Sequence, residues 1–177
     1  MPVSAAVTTW FLEMLDREQL RPAAAPALGT YAAKVGPDWF VSRWFYNEVG
    51  RDWSWTDRLA WTEQQWRQWV ERSGYEMWVA RSGGAPAGYL ELDAHCGGEV
   101  EVAYFGLLPG FMGRGLGGHL LTLAAEAAWD RGATRLWVHT CSLDGPHALA
   151  NYERRGFQVY RQSVGPPGPT MGVRSHR

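Results

Sequence analysis

The strongest chemical signal in the sequence is Gly113-Arg114-Gly115-Leu116-Gly117-Gly118, with four glycines in six residues. That many glycines are costly at a helix start, which points to a close approach of the main chain to another group, set against a glycine-rich turn with no ligand. Glycines at a strand-to-helix junction, followed by the free N–H groups and partial positive charge of the first helical turn, suit a phosphate or pyrophosphate. Each N–H given to a charged oxygen contributes on the order of 1.5–3 kcal/mol, so several aligned donors anchor a ligand without any particular side chain. The spacing also spells G-x-G-x-x-G at Gly113, Gly115 and Gly118, the form of a dinucleotide loop. Its surroundings argue against a nucleotide-dependent oxidoreductase. Pro109-Gly110-Phe111-Met112 separate the preceding strand from the glycines, and the acids that follow, Glu126 and Asp130, sit inside the helix rather than at the end of the next strand. No Lys-Ser/Thr pair follows, which excludes a Walker-type loop.

Such a loop needs a strand leading in and a helix leading out. Residues 99–108 read as the strand. The helix runs to about Arg131, with Leu116, Leu120, Leu123 and Ala127 on one face and His119, Thr122, Glu126 and Asp130 on another. Gly132 is its stop. Upstream, residues 75–81 and 87–94 flank Ser82-Gly83-Gly84 as a hairpin, and Cys96-Gly97-Gly98 punctuates before the next strand. Downstream, residues 135–141 read as a strand. Asp144 caps a last helix with Pro146 in its first turn, and Gly156 ends that helix before a strand over 157–162. Nearer the start, residues 7–15 suit a strand, and 37–47 and 62–72 suit helices. In the second of these Thr62 and Gln65 form a capping box, and Trp66, Trp69 and Val70 share a face. Antiparallel strands followed by a β-helix-β unit predict an α/β fold with a mixed, mostly antiparallel central sheet flanked by helices. The expected organisation is one domain over residues 1–164 and an irregular Pro/Gly-rich tail over 165–177.

Composition narrows the function classes. The 177 residues are 46% apolar and 20% charged, as in an ordinary soluble domain. No apolar run approaches the roughly 20 residues that span a bilayer, and Met1-Pro2-Val3-Ser4 lacks the basic-then-apolar start of a secretory signal. A cytoplasmic protein with no membrane partner is expected. Cys96 and Cys141 make neither a disulfide framework nor a metal knuckle, so no metal is expected. A net charge of −1, with both signs interspersed, leaves no basic patch for nucleic acid. Tryptophan is the anomaly: there are 11, eight of them between Trp39 and Trp78.

Two stretches carry a resemblance. Tyr104-Phe105-Gly106-Leu107-Leu108-Pro109-Gly110-Phe111-Met112-Gly113-Arg114-Gly115-Leu116-Gly117 resembles motif A of the GCN5-related N-acetyltransferases, whose Q/R-x-x-G-x-G/A loop grips the coenzyme A pyrophosphate. Ala148-Leu149-Ala150-Asn151-Tyr152-Glu153-Arg154-Arg155-Gly156-Phe157 resembles motif B, about 40 residues further on. The likeness covers about half the chain. It implies the GNAT-like acyl-CoA N-acyltransferase fold, with acetyl-CoA as co-substrate and acetyl transfer to a primary amine of a small molecule or peptide by direct attack. It implies coenzyme contacts at Phe105, Leu107, Leu108, Met112, Gly113, Arg114, Gly115, Leu116, Gly117, Gly118, Asn151 and Tyr152. Met112 stands where Gln or Arg is usual and Gly145 where Asn is common, so the grip falls to the main chain, with Arg114 as a helper. Homodimers are common in the family. The competing reading is a non-catalytic acyl-CoA-binding or sensing protein that keeps the loop and has lost the chemistry.

The resemblance assigns Tyr152 as the acid that protonates the leaving thiolate, and a main-chain N–H between Phe105 and Leu107 as the group that polarises the thioester carbonyl. Ala148, Leu149 and Tyr152 share a helix face, which turns the hydroxyl toward the sheet; the plain alternative is a packed aromatic. The amine arrives as an ammonium and wants a base. Glu99 and Glu101 share a strand phase with Ala103 and Phe105, opposite Val100, Val102 and Tyr104. Glu101 is the first choice, set against a solvated strand acid. His139 is the second, set against a structural histidine. Cys141 with His139 or His147 would make a thiol nucleophile, but no orienting acid is in view. In the family, the segment corresponding to residues 38–72 forms much of the acceptor wall. Most of its tryptophans are expected in the core, with one or two of Trp39, Trp44, Trp53 and Trp55 lining an acceptor pocket or a subunit interface.

Overall fold

Period-two apolar patterning draws the chain into one seven-stranded sheet. The computed structural model describes residues 6–166. Its strands are β1 (Val7–Met14), β2 (Thr30–Val35), β3 (Tyr75–Ser82), β4 (Ala85–Ala94), β5 (Glu99–Leu107), β6 (Arg135–Cys141) and β7 (Gln158–Gly165). They lie in the order β2-β3-β4-β5-β6-β1-β7. The pair β5–β6 is parallel and the other neighbours are antiparallel, which is the mixed sheet that the pattern predicts.

The helices are α1 (Trp39–Gly50), α2 (Glu63–Val70), α3 (Leu116–Asp130) and α4 (Ala148–Arg154). Asp38 starts α1 by accepting from the N–H groups of Phe40 and Val41, so Pro37 stays outside. Thr62 and Gln65 cap α2 reciprocally, as expected. Asp144 does not cap α4. It turns back to accept from the Cys141 N–H and the Thr140 hydroxyl, and α4 begins only at Ala148. In α3, Leu123 and Ala127 are half-buried and Thr122 is buried, a rotation of the expected face. The cause is the segment joining β1 to β2, which covers that side: the Ala23 N–H donates to the Thr122 hydroxyl at 3.0 Å. Two elements were drawn short or missed. β7 runs on to Gly165, and β2 was not anticipated. The rest of the expected tail, 167–177, and the N-terminal Met1-Pro2-Val3-Ser4 lie outside the described residues.

Each face of the sheet has its own core. On one, Leu12, Met14, Leu90, Leu92, Val100, Val102, Leu136 and Val138 meet Leu116, Leu120, Leu121 and Ala124 of α3. On the other, Met77, Val79, Tyr89 and Tyr104 meet Phe45, Tyr46 and Val49 of α1 and Trp66 and Trp69 of α2. β5 changes phase between them. Leu92 pairs with Val102 and Glu91 with Tyr104, leaving Ala103 as the extra residue of a bulge. Beyond it Tyr104 turns to the α1–α2 side, and Phe105 and Leu107 pack toward α3. The expected common phase of Glu101, Ala103 and Phe105 is broken at that point.

Candidate active site

β5 and β6 pair over three rungs, Glu99↔Arg135, Val100↔Leu136 and Glu101↔Trp137, and then part. Past the last rung the β6-facing main chain of Phe105–Leu107 has no strand opposite. A cavity of about 450 Å³ opens there, walled by β5, by the glycine loop and by the approach to α4. Of the residues expected to meet the coenzyme, Phe105, Leu107, Met112, Gly113, Gly115, Gly117, Gly118 and Asn151 line it. The other four do not. Leu116 is buried in the core and Leu108 packs toward the α1–α2 side. Arg114 is exposed, its guanidinium 5.8 Å from the Phe111 ring centre. Tyr152 lies behind Phe105, with ring centres 6.0 Å apart.

The loop is built to receive an anion. Gly113 and Gly115 hold left-handed φ values of 74° and 76°, which side chains resist. A Cβ added at Gly110, Gly113 or Gly115 would meet nothing within 4 Å, so the space above the loop is free for a ligand. α3 starts at Gly115 without a side-chain cap, which leaves its first-turn N–H groups open. Cations stand nearby: Arg154 lines the cavity, and a Cβ on Gly118 would lie 3.1 Å from an Arg155 guanidinium nitrogen.

Tyr152 keeps 2% of its surface exposed, with its ring edge-on to Phe157 and Phe105. Burial raises its phenol pKa, with Asp144 adding to the effect, so the hydroxyl stays protonated. Glu101 and His139 are not among the residues that line the cavity; they alternate with Val100, Val102 and Val138 of the α3-side core and so face the other side of the sheet. Glu101 is buried, 3.4 Å from His95 Nε2 and 3.9 Å from His139 Nδ1. Burial lowers the His139 pKa against the pull of Glu101, Asp144 and Asp57. The hydrogen bond to Glu101, with help from Asp93, raises that of His95. Asp93, His95 and Glu101 bring ligand-type atoms within 4.8 Å of one another, and the cationic place beside them is taken by Arg72, which pairs with Asp93 at 3.1 Å. Burial raises the Cys141 thiol pKa, which removes the thiolate that a nucleophile would need.

Sequence reasoning missed Asp93 and the place of His95 beside Glu101. Their signal was Glu91 and Asp93 in one phase of a strand whose other phase is Leu90 and Leu92. Trp53 and Trp55 line the cavity, whereas Trp39 and Trp44 do not. The Trp53 ring lies 3.5 Å from where a Cβ on Gly145 would sit and fills the room that an asparagine there would need. Trp61, Trp66 and Trp69 box in a buried charge. Arg58, 2% exposed, lies 3.7 Å from the Trp69 ring centre and 3.8 Å from that of Tyr104. It pairs with fully buried Glu91, which also accepts from Ser42, Trp69 and Tyr75.

Residues 38–157 match the family model described as the acetyltransferase (GNAT) family. Over 59 residues, 33% of this chain, the sequence is 39% identical to streptothricin acetyltransferase of Streptomyces lavendulae, of which that stretch is 28%. Among solved structures, a GCN5-related N-acetyltransferase from Kribbella flavida superposes with a TM-score of 0.66 at 23% identity, over 91% of this chain and 58% of the other. One from Sphaerobacter thermophilus gives 0.69 at 18% identity, over 90% and 50%. At such identities the likeness shows the fold, and this chain spans little more than half of either structure.

Proposed function

The chain belongs to the GNAT acetyltransferase family, and from that premise we propose that it is an acetyl-CoA-dependent N-acetyltransferase acting on a primary amine of a small molecule or peptide. The observation that carries the reading is the parting of β5 and β6 over a cavity floored by an uncapped, glycine-built helix start. The local match to streptothricin acetyltransferase supports the small-molecule end of that acceptor class.

The residues present fit the coenzyme. The open space over Gly110, Gly113 and Gly115 admits a pyrophosphate against main chain. Arg154 and Arg155 supply the positive charge that Met112 cannot. When bound, acetyl-CoA supplies the thioester whose acetyl group the amine takes. The unpaired β5 edge at Phe105–Leu107 would offer main-chain N–H groups to the thioester oxygen. Tyr152 holds a proton for the departing sulfur, and Glu101 takes one from the incoming ammonium. Trp53 and Trp55 form the apolar wall that excludes water beside the reacting atoms.

Two measurements test this. Calorimetry with acetyl-CoA should show binding that Gly115→Glu abolishes, because that variant puts a carboxylate and a strained left-handed side chain where the phosphates would lie. A thiol-release assay over amines, amino acids, peptides and aminoglycosides should show turnover with at least one class. No binding heat would end the coenzyme reading. Binding without turnover across the panel would leave a sensor.

A further inference from the structure

A buried base that removes the acceptor's proton must lose that proton before the next turnover. Glu101 keeps 5% of its surface exposed, so water is not its outlet. His95 is. This histidine follows β4 in the turn that leads to β5, held there by its own N–H donating to the Glu99 carbonyl at 2.7 Å. Its ring lies roughly parallel to that of Trp137, with centres 6.3 Å apart. Its Nε2 is 3.4 Å from Glu101 Oε2 and 3.6 Å from Asp93 Oδ2, and 31% of its side chain is exposed. Glu101 therefore lies between mostly buried His139, 3.9 Å away, and His95, whose side chain reaches solvent.

We propose that His95 is the proton outlet of Glu101, carrying the acceptor's proton from the buried carboxylate to solvent. The inference rests on the acetyltransferase reading. The ammonium N–H bond breaks and an O–H bond forms on Glu101. That O–H breaks as an N–H forms on His95 Nε2, and the imidazolium then gives a proton to water or buffer. Carboxylate and neutral imidazole are restored, and the net change is one proton moved from amine to solvent. The groups facing His95 favour this passage. Glu101 from β5 and Asp93 from β4 stabilise the imidazolium, while burial and the Arg72 guanidinium paired with Asp93 oppose it and help it release the proton. His95 acts through Glu101 and is a positioning residue for the proton, not one that touches substrate.

The test is His95→Gln, which keeps a polar group of similar reach but cannot carry a proton. At neutral pH in dilute buffer its kcat should fall severalfold, with the KM for the acceptor and acetyl-CoA binding unchanged. Added imidazole should restore the rate. An unchanged kcat, or a loss that imidazole does not restore, overturns the proposal. A second arm needs no substrate. The His95 ring followed by NMR should titrate above the usual histidine value in the wild type and fall in Glu101→Gln; a titration indifferent to that change overturns the coupling directly. If the wild type turns over no amine at all, the acetyltransferase reading fails and takes the outlet with it, a result distinct from a wild type that turns over and a His95→Gln variant that matches it.

Discussion

His139 keeps 11% of its side chain exposed, and burial lowers its pKa despite three carboxylates that pull the other way. The folded state therefore resists a proton that the unfolded chain accepts below the usual histidine value of about 6.5. The stability tied to a neutral His139 is present above that value and is lost as pH falls through the lower folded value. His95, whose pKa is raised, works in the opposite sense: its contribution is present in acid and lost as pH rises through the folded value. His139→Gln should accordingly show a smaller drop in Tm than the wild type between about pH 7 and pH 5, read by thermal melts across that range. An equal drop would mean that His139 is not held neutral. Tyr152 is the companion case. Burial keeps its phenol protonated, the state an acid must hold until the thiolate forms. Tyr152→Phe preserves the ring contacts with Phe105 and Phe157, so Tm should hardly move while kcat falls by about 10²–10⁴. Wild-type turnover in that variant would make Tyr152 a packing residue.

At the scale of elements, much was legible wherever periodicity ran unbroken. The hairpin of β3 and β4, the strand-loop-helix of β5 and α3, and the capping box of α2 all follow from residues a few positions apart. β2 was not legible, because Thr30–Val35 is a short edge strand with no buried residue and no apolar alternation to read. Neither was the Asp144 turn, since the Thr140 and Cys141 groups that draw its carboxylate away from α4 look like any other strand residues in sequence. The bulge at Ala103 was equally hidden, and it matters most. It turns Tyr104 into the aromatic box and sends Phe105 to the cavity wall, so one extra residue puts Glu101 and Phe105 on opposite faces of the sheet. The same stretch holds Gly106, where a Cβ would fall 2.2 Å from a Val49 methyl of α1. Gly106→Ala must push α1 off β5 or bend β5 into the cavity. It should cost about 1–3 kcal/mol by denaturant unfolding and weaken acetyl-CoA binding by calorimetry. Unchanged values in both would show that α1 yields freely at that contact.

For the whole molecule, the decisive fact is that the first strand is not at an edge. β1 lies between β6 and β7 and pairs antiparallel with both, while the next strand, β2, closes the opposite edge. No local pattern announces this, since it depends on pairing between residues more than a hundred positions apart. The chain must cross the molecule to get from β1 to β2, and it does so over α3 and the end of α4. Arg17 pairs with Asp130 at 2.5 Å, Leu20 packs on the core, and the Arg21 N–H donates to the Arg155 carbonyl at 2.9 Å. Ala23 then sits where a Cβ on Gly118 would approach to 3.1 Å. The crossing segment thus braces the start of α3, the part of the fold that presents N–H groups to the cavity. Gly156 is the closest fit along the way. Its φ is 102°, and a Cβ there would fall 1.8 Å from the Gln19 carbonyl oxygen. Gly156→Ala has to lift the segment away, adding backbone strain to a clash, and should destabilise the protein by about 2–4 kcal/mol. If the brace is what holds the helix start in place, the same variant should bind acetyl-CoA more weakly under conditions where it remains folded, although residue 156 itself is outside the cavity wall. Lost stability with wild-type affinity would separate the two roles and leave the crossing segment as a fastening for β1 alone.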